Sequence, residues 1–127
     1  MTPEIKVGCA MLAATMFIAL PAPGEAGTCG YEYCWGSVAA GDNGNAARAS
    51  GFRTAPGAWA RADRVCRGKC SMIEVFSNGC GAIAQDSDGA MSAGFATTRT
   101  EAEAEAMAIC DQQLGKACRV RVWACSK

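Results

Sequence analysis

Val75-Phe76-Ser77-Asn78-Gly79-Cys80-Gly81-Ala82-Ile83-Ala84 is the stretch that decides the fold, because it ends one structural unit and begins a second copy of it. The small and apolar residues that follow Cys80 repeat those that follow Trp35, about 45 residues earlier. The end of the unit recurs too, since Val122-Trp123 precedes Cys125 as Val75-Phe76 precedes Cys80. The chain therefore carries two tandem repeats, residues 35–79 and 80–127. Two copies are too few for an open solenoid, so we expect a single domain with an approximate two-fold axis.

The first 26 residues have the features of a secretory signal peptide. Lys6 precedes an apolar run at residues 7–20, and a small-residue segment ends at Ala26. The run is shorter than the roughly 20 apolar residues that a membrane-spanning helix needs. We therefore predict export to the periplasm or the medium, cleavage near Ala26, no transmembrane span in the mature form, and a short lead-in at residues 27–34.

The cysteines predict a framework of disulfides. The sequence has 9 cysteines, and those beyond the predicted signal peptide form an even-numbered set: Cys29, Cys34, Cys66, Cys70, Cys80, Cys110, Cys118 and Cys125. Exported compartments are oxidising. A core built largely from alanine and glycine buries little apolar area, so we expect these bonds to supply much of the stability.

The repeat also predicts how the cysteines pair. Two pairs are local, because each joins the end of a predicted helix to the start of the next strand. Cys80 and Cys125 occupy equivalent closing positions of the two units, so we predict a bond between them across the two-fold axis. A fourth pair closes the lead-in. The predicted pairs are Cys29–Cys34, Cys66–Cys70, Cys110–Cys118 and Cys80–Cys125.

Each repeat has the pattern strand, strand, helix, strand. Asn43-Gly44 marks a hairpin turn in the first repeat, and Asp-Ser-Asp-Gly at residues 86–89 marks the equivalent turn in the second. Thr54 is expected near the start of the first helix, and Thr100 with Glu103 forms a capping-box pattern for the second. Two such repeats predict an α+β domain with a mainly antiparallel sheet.

Large apolar residues give the expected core. The first predicted helix has Trp59, Ala62, Val65 and Cys66 at helical spacing. Aromatic residues fall at matching repeat positions or on inner strand and helix faces. We predict that they belong to the core rather than to a ligand cage: Trp35, Phe52, Trp59, Phe76, Phe95 and Trp123.

The residue chemistry argues against catalysis and against a bound metal or cofactor. The sequence has 0 histidines, which removes the commonest general base and metal ligand. Cys66 and Cys70 have a spacing that zinc ligands can have, but behind an export signal we interpret them as a disulfide. Residues 86–89 lack the later ligands of a calcium loop. Glu101 and Glu105 lie one turn apart near a helix start, where a solvated face explains them.

Charge narrows the class of partner. With 12 basic and 12 acidic residues the net charge is +0, which disfavours a nucleic-acid partner. The basic residues are concentrated in the first repeat. They form either a solvated helix face or an interaction surface, with these members: Arg48, Arg53, Arg61, Arg64 and Arg67.

Together, these motifs resemble an uncharacterised family of exported bacterial proteins that is prominent among mycobacteria. The resemblance rests on the order of Trp35-Gly-Ser-Val-Ala, Cys66, Cys70, Phe76, Cys80-Gly-Ala-Ile-Ala and Val122-Trp123-Ala-Cys125. It implies an export signal, a duplicated domain and no established activity. The chain departs from the family pattern in its additional Cys29 and Cys34, and in carrying helix-end cysteines in both repeats.

The sequence thus favours an exported, non-catalytic binding protein that acts on a protein or envelope partner. Two alternatives remain open. One is an inhibitor or protective protein that blocks a secreted enzyme with an exposed, rigid loop. The other is an enzyme that uses carboxylates or a reactive cysteine. An unpaired thiol would favour the enzyme, whereas fully oxidised cysteines and a flat apolar patch would favour the binding protein.

Overall fold

The computed structural model describes residues 29–127, which form two units with the same order of elements. Unit one contains β1 (Trp35–Ala40), β2 (Ala46–Phe52), α1 (Ala55–Cys66) and β3 (Met72–Ser77). Unit two contains β4 (Gly79–Gln85), β5 (Met91–Ala96), α2 (Arg99–Ile109) and β6 (Arg119–Ser126). Short helical turns cover Asp42–Gly44 in the first hairpin and Cys110–Leu114 after α2. The predicted signal peptide lies outside the described residues.

Each unit forms its own three-stranded antiparallel sheet. β1 lies between β2 and β3, and β4 lies between β5 and β6. The predicted α+β class and the antiparallel pairing are confirmed. The strands are divided between two sheets, because the third strand of each unit returns beside the first strand of the same unit.

The two sheets pack face to face, and a helix covers the outer face of each. The residues between the sheets are Val38, Ala40, Phe76, Ile83 and Ala124. A second cluster lies between α1 and the first sheet, and a third lies between α2 and the second sheet. Because β1 and β4 are covered on both faces, nearly all their residues are buried. These strands therefore show no polar and apolar alternation.

Small side chains let the helices lie close to the sheets. Ala58 and Ala62 of α1 and Ala102 and Ala106 of α2 are fully buried. A Cβ atom on Gly94 of β5 would collide with the backbone of Ala102 and Ala106. The close packing of α2 on β5 thus requires glycine at this position.

The starts of the two helices test the capping predictions. Thr54 caps α1 as expected, and its hydroxyl accepts the N–H of Gly57 at 3.2 Å. The prediction that Thr100 caps α2 is wrong, because Thr98 is the N-cap and accepts the N–H of Glu101 at 3.3 Å. The Thr-x-x-Glu pattern occurs twice, at residues 98–101 and at residues 100–103. The helix starts at the first of the two because only two residues connect β5 to α2.

The four disulfides join the pairs that the sequence predicts: Cys29–Cys34, Cys66–Cys70, Cys80–Cys125 and Cys110–Cys118. The reason given for Cys80–Cys125 is wrong, however. Both residues belong to unit two, where they lie opposite each other on the adjacent strands β4 and β6. The equivalent pair in unit one is Trp35 with Ser77. The bond therefore joins two strands of one sheet and does not cross between the units.

The prediction that the aromatic residues belong to the core is wrong for Trp59 and Phe95, whereas Trp123 is partly buried against the cluster between α2 and the second sheet. Phe76 is buried, whereas Trp59 is 45% exposed and Phe95 is 37% exposed. In α1 the buried positions are alanines and Cys66, and Val65 is 51% exposed. The helix lies too close to the sheet for an indole ring to fit between them. Helical spacing indicated a stripe, but it did not show that side-chain size would decide which stripe is inside.

Candidate binding groove

An open groove of about 700 Å³ lies where unit one meets unit two. Its walls come from β2, from α1 and from the end of β6. The lining residues are Arg48, Ala49, Ser50 and Phe52 of β2, Arg61 of α1, and Trp123, Ala124 and Cys125 of β6. The groove thus exists only when both units are folded and packed together.

The groove is basic. Arg48 and Arg61 are its charged residues, and its lining includes no aspartate or glutamate. Within residues 29–127 the one ion pair joins Arg99 to Glu103, so neither groove arginine has a carboxylate partner there. Both guanidinium groups can therefore donate hydrogen bonds to an anionic group that enters the groove.

Trp123 connects arginines from the two units. The guanidinium carbon of Arg48 lies 5.4 Å from the centre of the Trp123 ring. That of Arg99, at the start of α2, lies 3.8 Å from it. An arginine that packs over an aromatic ring gains a cation–π interaction, while its planar fork can still donate hydrogen bonds. Trp123 therefore holds Arg48 in place at the groove without neutralising it.

A β-bulge in β2 shapes the wall of the groove. The register of β1 and β2 shifts between Ser37 and Trp35, so that β2 has one residue more at this point. Gly51 takes a φ of 75° there, and its N–H donates to Ser126 Oγ at 2.9 Å. A bulge bends its strand and redirects the side chains that follow. This bulge ties β2 to the end of β6 and leaves Phe52 on the groove.

The lead-in forms a second surface beside the groove. It is closed by its own disulfide, and Tyr31 and Tyr33 on it are 42% and 53% exposed. Together with Trp35 and Arg53 they line a depression of about 410 Å³. This surface is thus mainly aromatic, and it is presented by a short covalent loop.

The structure divides the five arginines of the predicted interaction surface into separate places. Arg48 and Arg61 meet in the groove, and Arg53 lies in the neighbouring depression. Arg64 and Arg67, at the end of α1, are in neither lining. They provide matched controls for experiments on the groove.

Sequence reasoning placed Trp123 in the core and missed it as a groove residue. The ring is partly buried against the cluster between α2 and the second sheet, and it also lines the groove. A register shift in β6 breaks the alternation that the sequence shows over residues 119–123, so the pattern alone does not give the face on which Trp123 lies. Nothing in the spacing could show that Arg48, which lies in the other repeat, would reach it.

Residues 86–89 form a turn, as the sequence indicated. Asp86 Oδ1 accepts the N–H groups of Asp88 and Ala90, each at 2.9 Å. Gln85 Nε2 donates to the carbonyl of Gly89 at 3.0 Å. Across the described part of the chain, no group of three or more His, Cys, Asp or Glu side chains could hold a metal ion. The buried Asp86 carboxylate thus organises the hairpin.

Comparison with known proteins identifies the family. The structure is similar to the NMR structure of Rv1813c from Mycobacterium tuberculosis, with a TM-score of 0.55 and 29% sequence identity over 72% of this chain and 74% of that chain. No curated protein sequence matches the chain. The family model of a domain of unknown function, DUF4189, matches residues 35–125. The resemblance that the sequence indicated is confirmed, and the chain belongs to the DUF4189 family.

Proposed function

We propose that this chain is a small non-catalytic binding protein, and that the groove between β2 and β6 is its binding surface for a protein or envelope partner. The observation that carries the proposal is that one groove is lined by two arginines, Arg48 and Arg61, and by the rings of Phe52 and Trp123, without a carboxylate in the lining. Arginine and large aromatic side chains are enriched at protein interfaces and among the residues that dominate binding energy.

The available side-chain chemistry supports binding rather than catalysis. The sequence has 0 histidines. Every cysteine among residues 29–127 is in a disulfide, so that region offers no thiol nucleophile. The buried carboxylate of Asp86 is engaged by backbone N–H groups of its own turn. An enzyme would need a base or nucleophile from the remaining exposed carboxylates and hydroxyls.

Export is part of the proposal. Four disulfides in a domain of this size are typical of oxidising compartments. The helices α1 and α2, in the described residues, are too short and too polar to cross a membrane. We expect exported protein to begin near Gly27, and intact-mass measurement of periplasmic and culture fractions checks this. Exported protein that retains residues 1–26 would contradict the cleavage site.

The binding surface can be tested with two double variants that change the same charge. Arg48→Glu with Arg61→Glu reverses the charge of the groove, whereas Arg64→Glu with Arg67→Glu does so at the far end of α1. Envelope and culture proteins are passed over each immobilised variant and quantified. We expect the unmodified protein and the Arg64/Arg67 variant to retain the same partners. The groove variant should no longer retain them. Equal retention by both double variants would refute the groove as the binding surface.

The lead-in supports a second candidate function, inhibition of a secreted enzyme. Its disulfide and its hydrogen bonds to Asn78 hold Tyr31 and Tyr33 in an exposed, preorganised loop. Preorganisation lowers the entropy cost of binding. If the loop inhibits an enzyme, Tyr31→Ser with Tyr33→Ser removes the inhibition and the groove variant does not. An assay of secreted hydrolases measures the inhibition. If the groove variant loses inhibition and the tyrosine variant keeps it, this candidate is excluded.

A further inference from the structure

The groove follows a free edge of the second sheet. β6 pairs with β4 on one side only and is the last strand of its sheet. Trp123, Ala124 and Cys125, near the end of β6, line the groove. An edge strand presents backbone N–H and C=O groups that can pair with another strand. The groove therefore offers a backbone edge as well as two arginines.

The register of β6 shows which backbone groups face outward. Cys80 and Cys125 lie directly opposite each other with their Cα atoms 4.0 Å apart. In antiparallel strands so short a distance belongs to a non-hydrogen-bonded pair, at about 4.5 Å, rather than to a hydrogen-bonded pair, at about 5.5 Å. The backbone groups of Cys125, and of Trp123 two residues earlier, therefore point away from β4. They have no backbone partner beyond β4 within residues 29–127.

Arg48 lies on a defined side of this edge. Arg48 is paired with Val38 across β1 and β2, so both side chains project from the same face of the first sheet. Val38 lies in the cluster between the sheets, and Ala124 of β6 faces the same cluster. A strand added beside β6 would thus turn every second side chain toward the side on which Arg48 lies.

We infer that the groove binds an extended acidic segment of a partner protein, which adds to β6 as a further strand. This inference rests on the proposed function and specifies its ligand. The backbone of the segment pairs with Trp123 and Cys125. Its carboxylates, at alternate positions, receive hydrogen bonds from Arg48 and Arg61. Strand addition of this kind takes affinity from main-chain hydrogen bonds and specificity from alternate side chains.

An anionic polysaccharide or polyphosphate is the competing ligand for a basic groove. Such a polymer would use the two arginines, but it has no regular row of amides to match Trp123 and Cys125. A peptide uses both features of the groove. The observations therefore favour a peptide, and polyphosphate becomes a control in the test.

The test uses a fluorescein-labelled peptide of alternating glutamate and valine, measured by fluorescence anisotropy with the oxidised protein. Its controls are the same peptide methylated at its backbone nitrogens, a lysine–valine peptide, and polyphosphate as a competitor. We expect the acidic peptide to bind, and the methylated peptide to bind about tenfold or more weakly, because methylation removes the donors that strand pairing uses. Arg48→Glu with Arg61→Glu abolishes binding, and Arg64→Glu with Arg67→Glu preserves it.

Amide hydrogen exchange gives an independent measurement. On peptide binding, we expect slower exchange at the N–H groups of Trp123 and Cys125 and little change at Ala124, whose N–H points toward β4. No binding of the acidic peptide, or equal binding of its methylated form, overturns the inference. The experiment with immobilised variants separates this inference from the proposed function. If the peptide does not bind but the groove variant fails to retain the partners that the unmodified protein retains, the proposed function stands and only the peptide ligand is wrong. Retention of those partners by the groove variant refutes the proposed function itself.

Discussion

Asn78 and Cys34 are joined by two hydrogen bonds, one through the side chain of Asn78 and one through its backbone. The N–H of Cys34 donates to Asn78 Oδ1 at 2.9 Å, and the N–H of Asn78 donates to the carbonyl of Cys34 at 3.1 Å. The side-chain amide of Asn78 also donates to the carbonyl of Glu32 at 3.2 Å. The turn between β3 and β4 thus fixes the lead-in, which comes 44 residues earlier in the chain.

Replacing Asn78 by glycine tests this attachment. Asn78 has a φ of 52°, a conformation that glycine adopts freely, so Asn78→Gly removes the side-chain hydrogen bonds without straining the backbone. We expect a loss of about 1 to 2 kcal/mol in the free energy of unfolding, and faster amide exchange at Cys34. Urea denaturation and hydrogen exchange measure the two effects.

Asn43→Gly is the matched control for that variant. Asn43 has a similar φ of 60°, and its side chain makes no hydrogen bond to the described residues. We expect it to leave the urea midpoint almost unchanged. If the two variants lose equal stability, the Asn78 side chain does not anchor the lead-in.

The start of α2 gives a second pair of variants. Thr98→Ala removes the hydroxyl that accepts the N–H of Glu101 and should cost about 1 kcal/mol. Thr100→Ala lies inside the first turn of α2, exposed, and should cost much less. Thermal denaturation distinguishes them. A larger loss for Thr100→Ala would show that the helix begins two residues later in solution.

The disulfides should differ in their contribution to stability. The chain-entropy model gives about 4 kcal/mol for the long loop closed by Cys80–Cys125 and about 2 kcal/mol for the short loop closed by Cys29–Cys34. Replacing both cysteines of each pair by alanine and comparing urea unfolding checks the difference. We expect the Cys80 and Cys125 variant to be the less stable, also because Cys80 is buried against α2. The reverse order would contradict the expected difference.

Gly94→Ala tests the close packing of α2 on β5. The new methyl group would meet the backbone of Ala102 and Ala106, which cannot move without shifting the helix. We expect a loss of about 3 kcal/mol in the free energy of unfolding. Gly44→Ala, in open space at a φ of 79°, should cost only about 1 to 2 kcal/mol from backbone strain. Similar urea midpoints for the two variants would rule out the contact.

The sequence predicts the order of elements and the three short-range disulfides well, because these follow from residues close together in the chain. The Cys80–Cys125 pair is predicted correctly, but for a wrong reason. Asn43 with a positive φ, Thr54 at a helix start and the Cys66–Cys70 pair each involve residues close together in the chain. The groove could not be predicted in this way. Arg48 and Trp123 come from different repeats, and their proximity depends on how two alanine-rich sheets pack. The prediction that Trp59 belongs to the core is wrong for the same reason, since residue spacing does not give the distance between a helix and a sheet.

The placement of the disulfides has a consequence for biogenesis. None of the four described bonds joins unit one to unit two, and the bonds of the lead-in and of unit one join cysteines that are 5 and 4 residues apart. In the export that we propose, the amino-terminal half emerges first, and it can complete its own oxidation before any cysteine of the later half arrives. The duplicated architecture thus limits scrambled intermediates, and the two halves, each already cross-linked, then associate through noncovalent contacts alone.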